Sequence, residues 1–456
     1  MPQNCNFNLR NVGSKEQIDD MDMVFLGIKT QYGVLDYVTA WYIKATRYID
    51  QTPIRCAFVS TNSITQGEQV PALWAPLYSK GIKIDFAHRT FKWTNEARGK
   101  AAVFCVIIGF SMSERSEKWL FSYSDVAGEP TSRLVPNITP YLTAGNDVFV
   151  SSRTQALCPS PPIAFGNMPN DDGNLLFTDD EYTEFLSQDP QADTLFRPLI
   201  SAREFLHNER RWCLWLKDVS PAELQKHPLV LERIEKVRAF RAASNREATV
   251  KLAAFSALFG EIRQPDSDYI LIPRHSSEGR DYIPFGFFSK EQIVHDSCLM
   301  ISNASLYHFG VLQSSMHMAW MRQICGRIKG DYRYSNNLVY NNYPWPASPN
   351  ADHMRAVEAE AKAVLDVRAQ FPESSLADLY DPLSMPPGLV KAHKALDSAV
   401  DRCYRTKAFK SELERVEYLF ELYEHYCSSL TAGVSPPKKK VKSRAGRKAV
   451  SSGNHK

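Results

Sequence analysis

The sequence predicts an α/β fold near its N-terminal end, an α+β region through its middle and a helical region before its C-terminus. Three observations carry this. Between residues 52 and 110, short apolar runs alternate with a helical segment. Residues 111 to 176 are rich in Pro, Ser and Asn, and the stretch to residue 346 mixes a helix signal with short strand-like runs. From Ala351 to Leu430 the apolar residues return at helical spacing.

In the first region the apolar run IRCAFVSTNSI enters the polar, Gly-containing turn TQGEQV, and a helix is expected over Gln69 to Lys80. The strand IKIDFAH, the cationic and aromatic loop RTFKWTNEARGK and the apolar run AAVFCVIIGF follow. Strands this uniformly apolar predict a βαβ sheet buried on both faces. Upstream, Val34 to Ile49 reads as an amphipathic helix with Leu35, Val38, Tyr42, Ala45 and Ile49 on one side, whereas MPQNCNFNLRN has no period. A parallel-type sheet needs more strands than the three or so found before residue 110, so a truncated chain or one piece of a split protein is expected. Open α/β sheets bind ligands at the carboxyl ends of their strands. Here those ends carry Ser60, Thr61 and Asn62, then His88, Arg89, Phe91, Lys92 and Trp93. Base-sized rings among phosphate-binding cations point to nucleic acid.

Farther along, SPAE predicts a helix capped by Ser220 and Glu223 with Pro221 first, and DYILIPRHSS, RDYIPFGFF and NLVYNNYPWP read as strands ending in turns. Three packing stripes follow: Met354, Val357, Ala361, Val364 and Leu365; then Leu389, Ala392, Leu396, Ala399, Val400 and Cys403; then Leu413, Val416, Leu419, Phe420, Tyr423 and Cys427 behind a Ser411–Glu414 cap.

Charge is unevenly placed. Eight Lys or Arg lie between Pro436 and the end with no acid, so a chain of net charge +3 leaves a body near −5. Such a tail fits a polyanion and equally fits a solvated arm. The nine cysteines are scattered without a CxxC pair, which excludes metal ribbons and disulfide frameworks and predicts buried thiols in a reducing, cytoplasmic setting. No secretory segment occurs and no apolar run reaches the roughly 20 residues of a membrane span. The histidines have no HExxH or comparable spacing, so no metal is expected.

The runs GVLDYVTAWYIKA, FVSTNSITQGEQV and FAHRTFKWTNEARGKAAVFCVIIGF resemble the second half of the methyltransferase domain of MmeI-like (type IIL) restriction–modification proteins. The resemblance continues through REFLHNERRWCLWL, SDYILIPRHSSEGRDYIP, NASLYHFGVLQSSMHMAWMR, GRIKGDYRYSNNLVYNNYPWP and SLADLYDPLSMPPGLVKAHKALDSAVDRCYR, covering residues 12 to about 430. It implies a gamma-class enzyme that methylates adenine N6 in double-stranded DNA with S-adenosylmethionine. It also implies a target-recognition domain after the catalytic one, and a nuclease domain at the far N-terminus of full-length members. The expected layout is a partial class I methyltransferase-like sheet at 1–128, target recognition at 129–346, a helical domain at 347–434 and a basic tail at 435–456.

Two departures qualify it. No Gly-rich cofactor loop occurs, and where the family carries Asn-Pro-Pro-Phe or -Tyr before the Gly13–Ser14–Lys15 run, this chain has Asn8, Leu9, Arg10 and Asn11. The expectation is a chain that binds no S-adenosylmethionine alone and relies on a missing N-terminal half that carries the cofactor site, or else a specificity subunit or inert remnant.

Within this reading Phe91 is the first choice to stack on an extruded base, with Trp93 the alternative; either ring would otherwise close the sheet's edge. Lys92, Arg98 and Lys100 would meet phosphates. In GRIKGDYRYSNN, Lys329 and Asp331 stand two apart and would share a strand face. A Lys donates to guanine and a carboxylate accepts from cytosine, so the pair could read one G·C pair or could simply be a surface ion pair. Arg327 and Arg333 are neighbours for base edges or phosphates, and Arg274, His275 and Ser276 for backbone oxygens. Arg210, Arg211 and Trp212 are similar, although Trp212 and Trp215 also fit a core. Asn341 and Asn342 fit adenine reading or turn chemistry.

Overall fold

The computed structural model describes residues 13–93, 103–123, 128–328 and 330–432. Asn8 to Asn11, Arg98, Lys100, Lys329 and the basic tail therefore lie outside the described residues.

The Ser14 of the Gly-Ser-Lys run opens helix α1 (Lys15–Val24) through a reciprocal box: its hydroxyl accepts from Gln17 N at 3.2 Å and its own N–H donates to Gln17 Oε1 at 3.1 Å. The predicted helix from Val34 is shorter, with a 3-10 turn at Tyr32–Val34 and α2 over Thr39–Tyr48. Strand β1 (Cys56–Thr61), helix α3 (Gln69–Ser79) and strand β2 (Lys83–Trp93) follow as expected from the alternation. Strands β3 (Val103–Ser111), β4 (Lys118–Tyr123) and β5 (Pro130–Val135) complete a sheet of order β1-β3-β2-β4-β5.

Two expectations about this sheet are corrected. It is mixed rather than parallel: β3 runs antiparallel between β1 and β2, while β2 and β4 pair in parallel. Strand–helix–strand alternation holds only from β1 to β2, since β2 and β3 are neighbours and need no crossover. Nor is the sheet buried on both faces. One face packs on α2 and α3, with the Tyr42 ring 5.2 Å from Phe58, 5.4 Å from Phe110 and 5.5 Å from Trp74. The other face leaves Val59, Trp119 and Leu134 about half exposed, at 50%, 46% and 47%. The strands read as doubly buried because this open face is also apolar.

The middle region holds three smaller sheets. Strands β6 (Ile163–Phe165), β7 (Leu176–Thr178), β8 (Phe196–Ile200), β9 (Arg211–Leu214), β10 (Tyr269–Pro273), β11 (His275–Ser276), β12 (Gly286–Phe288), β13 (Ile293–Val294) and β14 (Cys298–Ser302) alternate with helices such as α4 (Pro228–Ala242) and α5 (Ser315–Ile324). Orders β12-β10-β14-β6 and β13-β8-β9-β7 are joined by a ribbon, β11-β16-β15, built on the hairpin β15 (Gly326–Ile328) and β16 (Asp331–Arg333). Ser220 caps Pro221–Leu224 as expected. NLVYNNYPWP is not a strand: Asn336–Tyr340 is a π-helical turn, because the Asn342 side chain donates to Asn337 O, Leu338 O and Ser151 O and replaces ladder partners.

Helices α6 (Ala351–Arg368), α7 (Pro387–Tyr404) and α8 (Glu412–Ala432) close the chain, and the expected stripes turn inward at Val357, Ala361, Leu396, Val400, Val416 and Leu419. Helix α8 bridges the regions. Glu417 pairs with Arg133 of β5 and accepts from Ala144 N at 3.0 Å, while Phe420 packs 4.9 Å from Tyr141 and 5.8 Å from Trp320 of α5. One apolar core runs from α1 through the middle region to α8, and each large side chain buried in it contributes on the order of 1.5–3 kcal/mol.

Candidate nucleic-acid interface

The hairpin is short and tightly turned. Ile328 pairs with Asp331 and Gly326 with Arg333, and Gly330 closes the turn at φ +101°, a conformation L side chains rarely adopt. Strand β11 extends the ribbon, His275 facing Arg333 and Ser276 facing Tyr332. Two segments far apart in sequence, 274–276 and 326–333, thus bring Arg274, His275, Arg327, Asp331 and Arg333 together. Arg274 and Arg333 lie close enough that each positive charge, after burial itself, pushes the His275 pKa down.

The cations differ in freedom. Arg327 lies over the Tyr332 ring at 4.5 Å, donates to Gly330 O at 3.1 Å and meets Glu278 Oε2 at 3.3 Å, so much of its donor capacity shapes the hairpin. Arg274 donates to Asp296 O at 2.8 Å and covers the Phe165 ring at 4.8 Å. Asp331 is exposed and accepts from Glu278 N at 3.3 Å. Glu278 and Arg280 were missed as site residues. Glu278 approaches Gly330 and Arg327, and Arg280 donates to Ser276 Oγ at 3.3 Å; only their place in the SSEGR turn beside the strand signalled them.

Residues expected in a loop lie on strand. Phe91, Lys92 and Trp93 end β2, past a bulge between His88 and Phe91 that turns the Phe91 ring toward Tyr123, stacked at 5.4 Å. Below them His88 stacks on Phe121 at 4.2 Å and meets the Tyr123 hydroxyl at 2.9 Å, and burial lowers its pKa. Trp93 is the more open ring, 51% exposed and 6.1 Å from Phe91; Lys92 is exposed.

The turn after β1 touches both the hairpin and this strand end. Gly67, at φ +57°, lies so close to Gly326 that a Cβ there would meet its Cα and N at 3.3 Å. Gln323 reaches across the same seam to Tyr141 O at 3.0 Å. Asn62, on the turn leading to Gly67, comes within 3.5 Å of Thr90, next to Phe91.

Other candidates are structural. Asn341 donates to Arg153 O at 2.9 Å and Asn342 is fully buried, so both amides serve turn chemistry and not adenine reading. Arg211 meets Glu204 at 3.5 Å, and Trp212 stacks on Tyr182 at 4.1 Å and donates to Asp179. Among the described residues, the end of β1 offers no free polar groups to cradle S-adenosylmethionine. At the end of β1, Ser60 bonds the Tyr42 hydroxyl at 2.8 Å, Thr61 bonds Ser63 at 3.0 Å and Ser63 donates to Asp36. None of the unpartnered buried polar atoms among the described residues lies there. Nor do three His, Cys, Asp or Glu side chains converge as metal ligands among the described residues.

Comparison with known proteins fits this geometry region by region. The MmeI DNA-methyltransferase domain matches residues 3–122, the MmeI target recognition domain residues 144–347 and the MmeI C-terminal domain residues 349–431. The chain belongs to the MmeI family. The solved type IIL restriction–modification enzyme MmeI in complex with DNA superposes with a TM-score of 0.79 at 47% identity, over 91% of this chain and 55% of that one. DNA methyltransferase A of Bacillus subtilis (strain 168) is 40% identical over 412 residues, 90% of this chain and 46% of that protein. The chain thus spans about half the length of these two relatives. No helix among the described residues is long and apolar enough to cross a membrane.

Proposed function

We propose that this chain supplies the DNA-reading and base-holding surfaces of a site-specific, adenine-N6 DNA methyltransferase of restriction–modification type. The observation that carries it is the ribbon β11-β16-β15, which gathers Arg274, Arg327, Asp331 and Arg333 within a region matching a target recognition domain. A two-stranded ribbon fits the major groove, where arginine donates to guanine and a carboxylate accepts from cytosine. In this reading Asp331 and Lys329 read base edges, Arg333 and Arg274 meet base edges or phosphates, and Arg327 holds the hairpin tip in shape. Lys92, Arg98 and Lys100 follow the backbone near the flipped base, which stacks on Phe91 or on the more open Trp93. The recognition region is taken as 129–346, between a methyltransferase-like part at 1–128 and helices at 347–434, with the basic tail at 435–456 as a further DNA contact.

The pocket for the methyl donor, S-adenosylmethionine, is assigned to a complementary half, because the sequence carries no Gly-rich cofactor loop and the polar side chains at the end of β1 are held by neighbours. The chain alone is then inactive. The lack of a Gly-rich loop in the sequence also motivates a second reading, a specificity subunit that binds DNA without catalysis. Titrating the purified chain with labelled duplex and with S-adenosylmethionine tests the first reading: duplex binding that weakens steeply with salt, with no methyl transfer and no heat from the donor, is expected. Tight donor binding would overturn the assignment of the pocket. Methyl transfer restored by adding the complementary half separates the two readings.

A further inference from the structure

The reading ribbon and the base-holding strand end meet at a joint made of backbone. One cross-strand row of the ribbon runs from His275 through Arg333 to Gly326, two strand spacings or about 10 Å in all. The Gly326 end of that row abuts Gly67, in the turn between β1 and α3. Gly67 has φ +57°, and a Cβ built on it would meet Gly326 Cα and N at 3.3 Å and Cys325 O at 3.4 Å. Backbone atoms cannot swing aside as the end of a side chain can, so the close approach depends on glycine. The Gly67 turn is itself pinned to the first sheet. Trp74 Nε1 donates to Ile64 O at 2.8 Å, Thr65 Oγ1 donates to Asn62 O at 2.8 Å, and Asn62 comes within 3.5 Å of Thr90, which precedes Phe91. Across the same seam Gln323 donates to Tyr141 O at 3.0 Å and reaches Thr65 O at 3.5 Å.

We propose that the Gly67–Gly326 contact, with Gln323 beside it, is the positioning element that fixes how far along a duplex the held base lies from the bases the ribbon reads. The inference rests on the reading in which the ribbon meets base edges and Phe91 or Trp93 holds a base, and adds what sets the distance between the two. Successive bases on one strand are about 3.4 Å apart, so the two surfaces must keep their separation to well within that length to present the same base each time. Gly326 pairs directly with Arg333, so a displacement at the joint carries the reading row with it. On the other side, the Asn62–Thr90 contact ties the same turn to the strand end. Gly67 and Gln323 act through the elements they hold in place and touch no base themselves.

The test uses the full chain and a duplex of its selected sequence, carrying 5-iodouracil for thymine or 8-bromoadenine for adenine at one position at a time. Illumination joins a nucleotide to the aromatic ring it lies against, and mass spectrometry of the peptide spanning 83–93 identifies the position. The unaltered chain should give one dominant position. In G67A and G67L the yield there should fall roughly fivefold or more, or spread to neighbouring positions, since such contacts are lost over ~1 Å. Affinity for the selected duplex should stay within about twofold, because the reading side chains are untouched. Q323L loses the bonds across the seam without straining the backbone and should show the same change to a smaller degree. G81A is the control: Gly81 has φ +92° with open space around it, so alanine there adds similar strain beyond the far end of α3 and leaves the crosslink as it was. Should G67L fail to fold by circular dichroism, G67A and Q323L decide. An unchanged crosslink in the folded variants would overturn the proposal, and so would crosslink and affinity falling together. An unaltered chain that binds the duplex but never crosslinks through 83–93 would strike the base-holding reading itself, and this inference with it.

Discussion

Replacing Gly330 by alanine asks whether the hairpin's shape, rather than its charge alone, reads DNA. At φ +101° an L side chain is strained by about 1–3 kcal/mol. The added Cβ would also meet Glu278 Oε1 at 3.0 Å and its carboxyl carbon at 3.2 Å, so the carboxylate must give way. That movement loosens the Arg327–Glu278 contact at 3.3 Å and the Glu278 N–H that Asp331 accepts, and so re-aims the tip. Losing one good base contact costs about 1–3 kcal/mol, roughly a 5- to 150-fold drop in preference for the selected duplex. Gly173 provides the control: it has φ +79° and open space around it, hence comparable strain away from the ribbon. Fluorescence anisotropy with selected and random duplexes, beside thermal melts, separates the effects. G330A should lose duplex preference as well as stability, and G173A should lose stability alone. Equal loss of duplex preference in the two variants, or none in G330A, would refute the reasoning.

Exchanging the charges at Lys329 and Asp331 should change the preferred base at one position of the selected site, and an unchanged site in a folded protein would reject their role. R333A should flatten the dependence of affinity on salt by about one phosphate's worth, read from titrations at several ionic strengths. Arg241 is fully buried and donates to the carbonyls of Pro169, Asn170, Leu252, Phe255 and Leu258. R241M should destabilise the region around these loops by roughly 5 kcal/mol or more, since each orphaned carbonyl costs about 1–3 kcal/mol, and limited proteolysis would detect it. His317 and His393 are buried against the Tyr334 and Tyr380 hydroxyls, at 2.9 and 2.8 Å, and burial pushes both pKa values down to about 3. Their folded values lie below the unfolded value near 6.5, so the stability is complete above about pH 6.5 and is lost as pH falls toward 3. Each contributes about 1.4 kcal/mol per pH unit across that window, and H317Q and H393Q should each flatten the fall in melting temperature between pH 6.5 and 5.

How much of this was legible in the sequence depends on whether periodicity or partners decide a residue's state. The β1–α3–β2 alternation and the C-terminal stripes were readable because burial there follows a single period. The antiparallel insertion of β3 was not, since pairing direction leaves no mark on an apolar run such as AAVFCVIIGF. Val59, Trp119 and Leu134 misled for a related reason: an apolar face reads as buried whether or not its cover is present. NLVYNNYPWP carries strand-forming residues, but the Asn342 amide overrides them with contacts to residue 151, nearly two hundred positions away. At the site, motifs named Arg274, Arg327, Asp331 and Arg333 individually, while their convergence, and the part of Glu278 in it, needed the ribbon. Phe91 and Trp93 were named as rings in a loop; the bulge in β2 that aims Phe91 at Tyr123 was invisible.

The most direct measurement is duplex selection by the purified chain in the absence of any methyl donor, with the retained sequences read out after several rounds. The account predicts convergence on one site, retained equally well when S-adenosylmethionine is added. A pool that stays random, or one that converges only when the donor is present, would contradict it.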